Sequence, residues 1–145
     1  MSRFAYSIFC DDIRHEVNGK TSLMGVYQGS LLLQEFPAML PKLCVVMHVV
    51  SHRDNLVKNI TFKGILDDSE IFAITLDEAQ LQAGAEMAVD LPNIQTKQIQ
   101  AIGLLTPITF EKPCSLKILI EADGEPIDCA GLEIMEAPSG MQIIS

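Results

Sequence analysis

Residues 4–33 read FAYSIFCDDIRHEVNGKTSLMGVYQGSLLL, and their reading decides the fold. Two β-prone runs, Phe4 to Val17 and Lys20 to Leu33, flank Asn18-Gly19. Both of those residues tolerate the positive φ that a type I′ hairpin turn demands. A two-residue loop sets Val17 against Lys20 and fixes every later pair. Arg14 then lies opposite Leu23, Asp12 opposite Gly25, Cys10 opposite Tyr27 and Ile8 opposite Gly29. Ile13 with Met24, Asp11 with Val26 and Phe9 with Gln28 fall on the other face. Strands of this length bend or bulge, so the register is firm near the turn and softer beyond about six pairs.

The same alternation continues downstream. Phe36-Pro37-Ala38-Met39-Leu40-Pro41 is a proline-bracketed connection, poor in backbone donors and unsuited to a central strand. Leu43 to Val50 is apolar at nearly every position, short and rich in valine, which predicts a strand buried on both sides. Leu56–Leu66 and Ile71–Leu76 alternate around the turn Asp67-Asp68-Ser69 and predict a second hairpin. Residues 77–89 are rich in Ala, Glu and Gln, with Asp77 as a candidate N-cap, and predict one short helix stopped at Leu91-Pro92-Asn93. Thr96 to Leu105, a short extended piece between Pro107 and Pro113, Ser115 to Ala122 and Cys129 to Glu136 complete the pattern, before a small apolar tail at Met141–Ile144. About eight strands with one short helix predict an all-β, two-sheet antiparallel β-sandwich, immunoglobulin-like or related, with residues 1–145 as one domain.

Composition narrows the function classes. A chain of 145 residues is long enough to bury roughly 68–70% of its unfolded surface and needs no metal or disulfide staple. Ten basic against nineteen acidic residues give a net charge of −9, and no two basic residues adjoin, which argues against nucleic acid as a partner. The four cysteines, Cys10, Cys44, Cys114 and Cys129, show no C-x-x-C spacing. With a start that lacks the layout of a signal peptide and no apolar stretch of about 18 residues, the expectation is a cytoplasmic protein with reduced thiols and no membrane association.

The densest polar group is Cys10-Asp11-Asp12-Ile13-Arg14-His15-Glu16. Consecutive strand residues point to opposite faces, so Asp11 and Asp12 diverge and do not make a carboxylate pair. Asp12 and Arg14 share a face beside Gly25. There they either brace the end of the sandwich as an ion pair or edge a small anion site completed by Lys20, Lys42 and Tyr27. His48 and His52 stand roughly 13 Å apart on a strand, too far to share a metal. No nucleophile elbow, phosphate loop or dinucleotide fingerprint occurs. Cys10, beside two aspartates, is expected to have a raised thiol pKa. No catalytic residue, metal ligand or cofactor is expected from these residues.

The segment FCDDIRHEVNGKTSLMGVYQGSLLL, followed by FPAMLPKLCVV and by FEKPCSL at residues 110–116, resembles a family of small bacterial and phage-associated proteins of unknown function. The shared pattern is C-D-D-I-R-x-E, then N-G-K or G-G-K, S-L-x-G-x-Y, and F-P-x-x-L-P-K-L. The resemblance implies a β-rich protein and supplies no activity or site residues.

A further feature is the apolar excess, a mean hydropathy of +0.27 in an acidic chain. Strands apolar on both faces imply that some outer surface is covered by other segments or by another chain. The expectation is a non-enzymatic β-sandwich acting through protein–protein contact, as a homo-oligomer. The alternatives are a protein that sequesters a nucleotide or small anion through Arg14 and nearby lysines, and a metal-dependent hydrolase.

Overall fold

The computed structural model describes residues 3–86, 96–138 and 140. Its first turn forms where the sequence places it, but with one more residue in the loop. Asn18 (φ 68°) and Gly19 (φ 75°) both take left-handed backbone, which Asn and Gly adopt at least cost. The Glu16 amide donates to the Lys20 carbonyl at 2.7 Å, so Val17 joins them outside the ladder. Strand β1 (Phe4–His15) and strand β2 (Thr21–Val26) therefore pair Arg14 with Ser22, Ile13 with Leu23, Asp12 with Met24 and Cys10 with Val26. The register predicted from a two-residue loop is thus off by one. A slip of one exchanges the faces of β2: Met24 and Val26 share a face with Cys10 and Asp12, while Tyr27 turns to the core side.

The second arm also divides. Gly25 (φ 69°) and Gly29 (φ 99°) carry the chain past Tyr27, whose amide makes the hairpin's outermost bond, to the Phe9 carbonyl. Strand β3 (Ser30–Leu33) then crosses to the other sheet and runs parallel to β12 (Leu132–Glu136). The predicted Ile8–Gly29 and Phe9–Gln28 pairs do not form.

The remaining elements are β4 (Ala38–Leu40), β5 (Leu43–His52), β6 (Ile60–Leu66), β7 (Ser69–Leu76), α1 (Glu78–Glu86), β8 (Thr96–Leu105), β9 (Ile108–Phe110), β10 (Cys114–Ala122) and β11 (Glu125–Ile127). Twelve strands stand among the described residues where about eight were expected, because short pieces around the prolines and after Gly29 pair in their own right. One sheet has the order β2-β1-β5-β8, and the other β3-β12-β10-β6-β7 with β11 on β10. A two-stranded ribbon joins β4 to β9. The predicted hairpin of β6 and β7 is present, turned by Asp67 (φ 43°) and Asp68 (φ 71°).

The helix begins as predicted. Asp77 Oδ1 accepts the Gln80 amide at 2.8 Å, and Gln80 Oε1 accepts the Asp77 amide at 2.9 Å, a reciprocal capping box. Residues 87–89 of the expected helix, its stop at 91–93 and the apolar tail at 141–144 lie outside the described residues.

Between the two sheets sits an aliphatic core. Leu43, Val45, Met47 and Val49 of β5 meet Ile60 and Phe62 of β6, Leu116, Ile118 and Ile120 of β10, and Leu132 and Ile134 of β12. Each such side chain contributes about 1.5–3 kcal/mol when fully buried. Among the described residues no helix is long and apolar enough to cross a membrane.

Candidate functional site

The two sheets differ in what they turn outward. Outside the larger sheet stand Lys63, Lys117, Glu121 and Glu133, with Leu119 and Met135 exposed among them, alternating with the core positions of β6, β10 and β12. Lys63 reaches Glu70 on β7 at 3.6 Å. Charged side chains are thus spread over the exterior of this sheet, as on an antiparallel sheet facing water.

The four-stranded sheet is different. Alternation on β5 sends Cys44, Val46, His48 and Val50 away from the core that takes Leu43, Val45, Met47 and Val49. The pairing of β1 with β5 gives this outer face its rows: Phe4 beside Val50, Tyr6 beside His48, Ile8 beside Val46 and Cys10 beside Cys44. β8 extends them with Gln98, Gln100, Ile102 and Leu104, and β2 adds Met24 and Val26. Cys10, Cys44, Val46 and Val50 are buried. Phe4 (55%), Leu104 (57%), Met24, Val26 and Tyr6 are exposed. Between the Asp12–Lys42 pair at one end and His52 at the other, the described residues of the face include no Asp, Glu, Lys or Arg.

At the centre, the Tyr6 and His48 rings stack with centroids 4.6 Å apart and planes 15° from parallel. His48 Nδ1 is buried without a hydrogen-bond partner, and burial pushes the imidazole pKa down, favouring the neutral ring. The cross-strand neighbours Tyr6 and Gln100 offer it no charge.

At the end of the face lie the residues singled out in the sequence. Asp11 and Asp12 diverge. Asp11 accepts a bond from the Tyr27 hydroxyl on the core side, whereas Asp12 takes the Lys42 ammonium at 2.6 Å and the Ile13 amide at 2.9 Å. The expected pairing of Asp12 with Arg14 is not made. Arg14, with its side chain 71% exposed, reaches Glu16 at 3.0 Å instead, while Lys42, just ahead of the neighbouring strand β5, takes Asp12. Nor does Gly25 lie beside Asp12, since the shifted register sets it against Asp11. Lys20 is exposed on the hairpin loop. Arg14 and Lys42 are thus each taken up by a carboxylate of this chain, and Tyr27 stands across the sheet from both Asp12 and Lys42.

The Lys42 ammonium holds the Asp12 carboxyl below its usual range. Burial is the main cause that pushes the Cys10 thiol up to about 11, with Cys44 and Asp11 adding to it. The sequence suggested the direction but credited the aspartates. Cys44 is raised as well, again chiefly by burial, so these neighbouring thiols are poor nucleophiles at neutral pH. Among the described residues no three His, Cys, Asp or Glu side chains converge to hold a metal ion.

The sequence missed the face as a site because its residues lie on four separate strands. The signal that pointed toward it was the doubly apolar run 43–50.

The chain belongs to the family described as Family of unknown function (DUF6941), which matches residues 5–135. No curated protein and no solved structure matches it.

Proposed function

We propose that this member of the family is a non-enzymatic contact protein that works by docking the outer face of its four-stranded sheet onto another protein surface. One observation carries the reading. The exterior of the four-stranded sheet exposes Phe4, Tyr6, Met24, Val26 and Leu104 with no charged side chain among them, while that of the other sheet sets Leu119 and Met135 among Lys63, Lys117, Glu121 and Glu133. Folding alone does not require this, since Glu or Lys at those outward positions would serve solvation better. Contiguous apolar patches beyond a few hundred Å² on a soluble protein mark interaction surfaces. Depletion of charge with retained aromatic and Met side chains is the composition of an interface core.

The test compares Leu104→Glu and Phe4→Glu with Leu119→Glu on the exterior of the larger sheet. A contact face open in the free chain accepts these charges within about 0.5 kcal/mol of stability, as solvated surface positions do. It also binds the apolar dye ANS, and Leu104→Glu removes that binding. In a chain that sediments as a monomer, a loss of several kcal/mol in the face variants, with no dye bound by the parent, means that the chain covers the face itself and refutes the reading.

A further inference from the structure

We infer that the occupant of this face is a second copy of the chain, packed face to face about a two-fold axis that runs along the strands between β1 and β5. The inference rests on the contact reading above and names its partner.

The rows across the β1–β5 seam carry the argument. A dyad lying in the interface and parallel to the strands sets β1 of each copy over β5 of the other while keeping rows in register. Asp12 on β1 and Lys42 beside the start of β5 bound one end of the face, so the dyad brings Asp12 of each copy toward Lys42 of the other. Charges of opposite sign meet twice, at the rim where they stay partly hydrated. One row further in, Cys10 and Cys44 are buried within the chain, and the exposed Val26 and Leu104 at the two ends of their row come over each other's copies. Ile8 then lies over the row of the second copy's buried Val46. Tyr6 comes over the second copy's His48, a phenol toward an imidazole whose Nδ1 lacks a partner in the single chain. Each row is matched by its own inversion.

Turning the axis across the strands instead would lay the apolar Cys10–Leu104 end over Gln98 and Gln100, and would leave Asp12 and Lys42 facing Phe4 and Val50. The arrangement along the strands avoids both mismatches.

A chain of net charge −9 repels itself, and this face is a surface on which two such chains can meet without bringing uncompensated acids together. The area fits a weak, reversible dimer. β1, β5 and β8, about 4.8 Å apart over roughly eight residues at about 3.3 Å each, cover on the order of 400 Å², and β2, which pairs only the Cys10–His15 half of β1, adds Met24 and Val26 at one corner. Two copies then bury about 900 Å², in the range of transient contacts. Sheets packed in this way align within about 30°, which keeps the rows near the axis over one another.

Sedimentation equilibrium at micromolar concentration tests it, with circular dichroism reporting the fold of each variant. The parent is expected at twice 15.9 kDa, Leu104→Glu as a monomer, and Leu119→Glu as a dimer. The axis has its own test. Asp12→Lys and Lys42→Asp each place like charges across the dyad and should weaken association about tenfold or more. Mixed in equal amounts, the two variants restore opposite charges at both rim contacts. The substituted positions then face each other across the axis, as do the unchanged Lys42 of one copy and Asp12 of the other, so a mixed dimer of near-parental affinity should form. A dimer that Leu104→Glu dissociates, but whose two charge variants regain nothing on mixing, overturns the axis. A parent that stays monomeric while binding ANS, with the dye lost in Leu104→Glu, overturns the second copy and leaves the contact reading standing. A monomer that binds no dye overturns both.

Discussion

Gly25→Ala tests the corner where the hairpin leaves its sheet. Gly25 has φ 69°, a conformation that costs an L-residue about 1–2 kcal/mol. A Cβ built there would also stand 2.8 Å from Asp11 Cγ and 3.1 Å from Asp11 Cβ, closer than carbon atoms pack. The carboxylate must swing away, and with it goes the bond from the Tyr27 hydroxyl. A hydrogen bond to a charged group is worth about 1.5–3 kcal/mol, and partial exposure of Asp11 argues for the lower end. Strain and lost bond together come to about 3 kcal/mol. Unfolding entropy near 2.1 cal/mol/K per residue over 145 residues converts this into a fall in Tm of about 10 °C. Calorimetry of Gly25→Ala, Asp11→Ala and the double variant separates the parts. In the Asp11→Ala background only the backbone strain remains, so the alanine should then cost about 1.5 kcal/mol. Tyrosine absorbance gives a second readout. Burial first, and the Asp11 bond next, hold the Tyr27 hydroxyl protonated well above the usual phenol range, and Gly25→Ala should lower that titration. Equal costs in both backgrounds, or an unmoved titration, would refute the link between Gly25 and Asp11.

Three further outcomes follow from single groups. Burial pushes the Asp123 carboxyl up, but the Asn59 and Lys58 amides and Arg3 together outweigh it and hold the carboxyl below its usual range. Its stabilisation is therefore complete above the unfolded pKa of about 4 and lost as pH falls through the lower folded value. Asp123→Ala, like Asp123→Asn, should flatten the acid limb of a stability–pH curve, since neither side chain titrates. His48 has a folded pKa below the usual 6.5, so its neutral form is favoured by folding. Stability should hold above that pH and decline as pH falls toward the depressed value, and His48→Gln should remove the decline. Finally, Cys10 and Cys44, both buried with raised pKa values, should resist iodoacetamide in the native protein at a pH of about 7.5, well below the thiol range. Peptide mapping should find Cys114, which is half-buried, labelled before either of them.

What the sequence discloses here is local, and what it withholds depends on distant partners. Asn18-Gly19, Asp67-Asp68 and Asp123-Gly124 announce their turns because left-handed backbone is costly for most other residues. The capping box at Asp77 and Gln80 is equally self-contained. The one-residue shift at the first turn is not. Whether Glu16 or Val17 opposes Lys20 decides which face Leu23 and Tyr27 take, and Tyr27 is drawn inward by the core of the whole sandwich. The parallel pairing of Leu31–Leu33 with Ile134–Glu136 joins segments about a hundred residues apart, and no short window records it. The candidate site shows the same division. Divergence of Asp11 from Asp12 follows from alternation alone, whereas the choice of Lys42 over Arg14 as the partner of Asp12 needs the order of β1 and β5.

That strand order also bears on how copies of the chain can meet. β8 is an edge of its sheet, ten residues long, and an open edge is itself a place where strands of two chains can pair. Pairing through β8 would satisfy backbone groups and extend the sheet. It would leave Phe4, Tyr6, Met24 and Val26 as wet as before, and it places no demand on side chains two or three strands away. The apolar character nevertheless continues across β5 and β1 to β2, the strand farthest from that edge. An edge contact selects residues near the edge, and a face contact selects the whole face. The composition follows the face, and Lys97 near the start of β8 and the polar Gln98 and Gln100 blunt the edge instead.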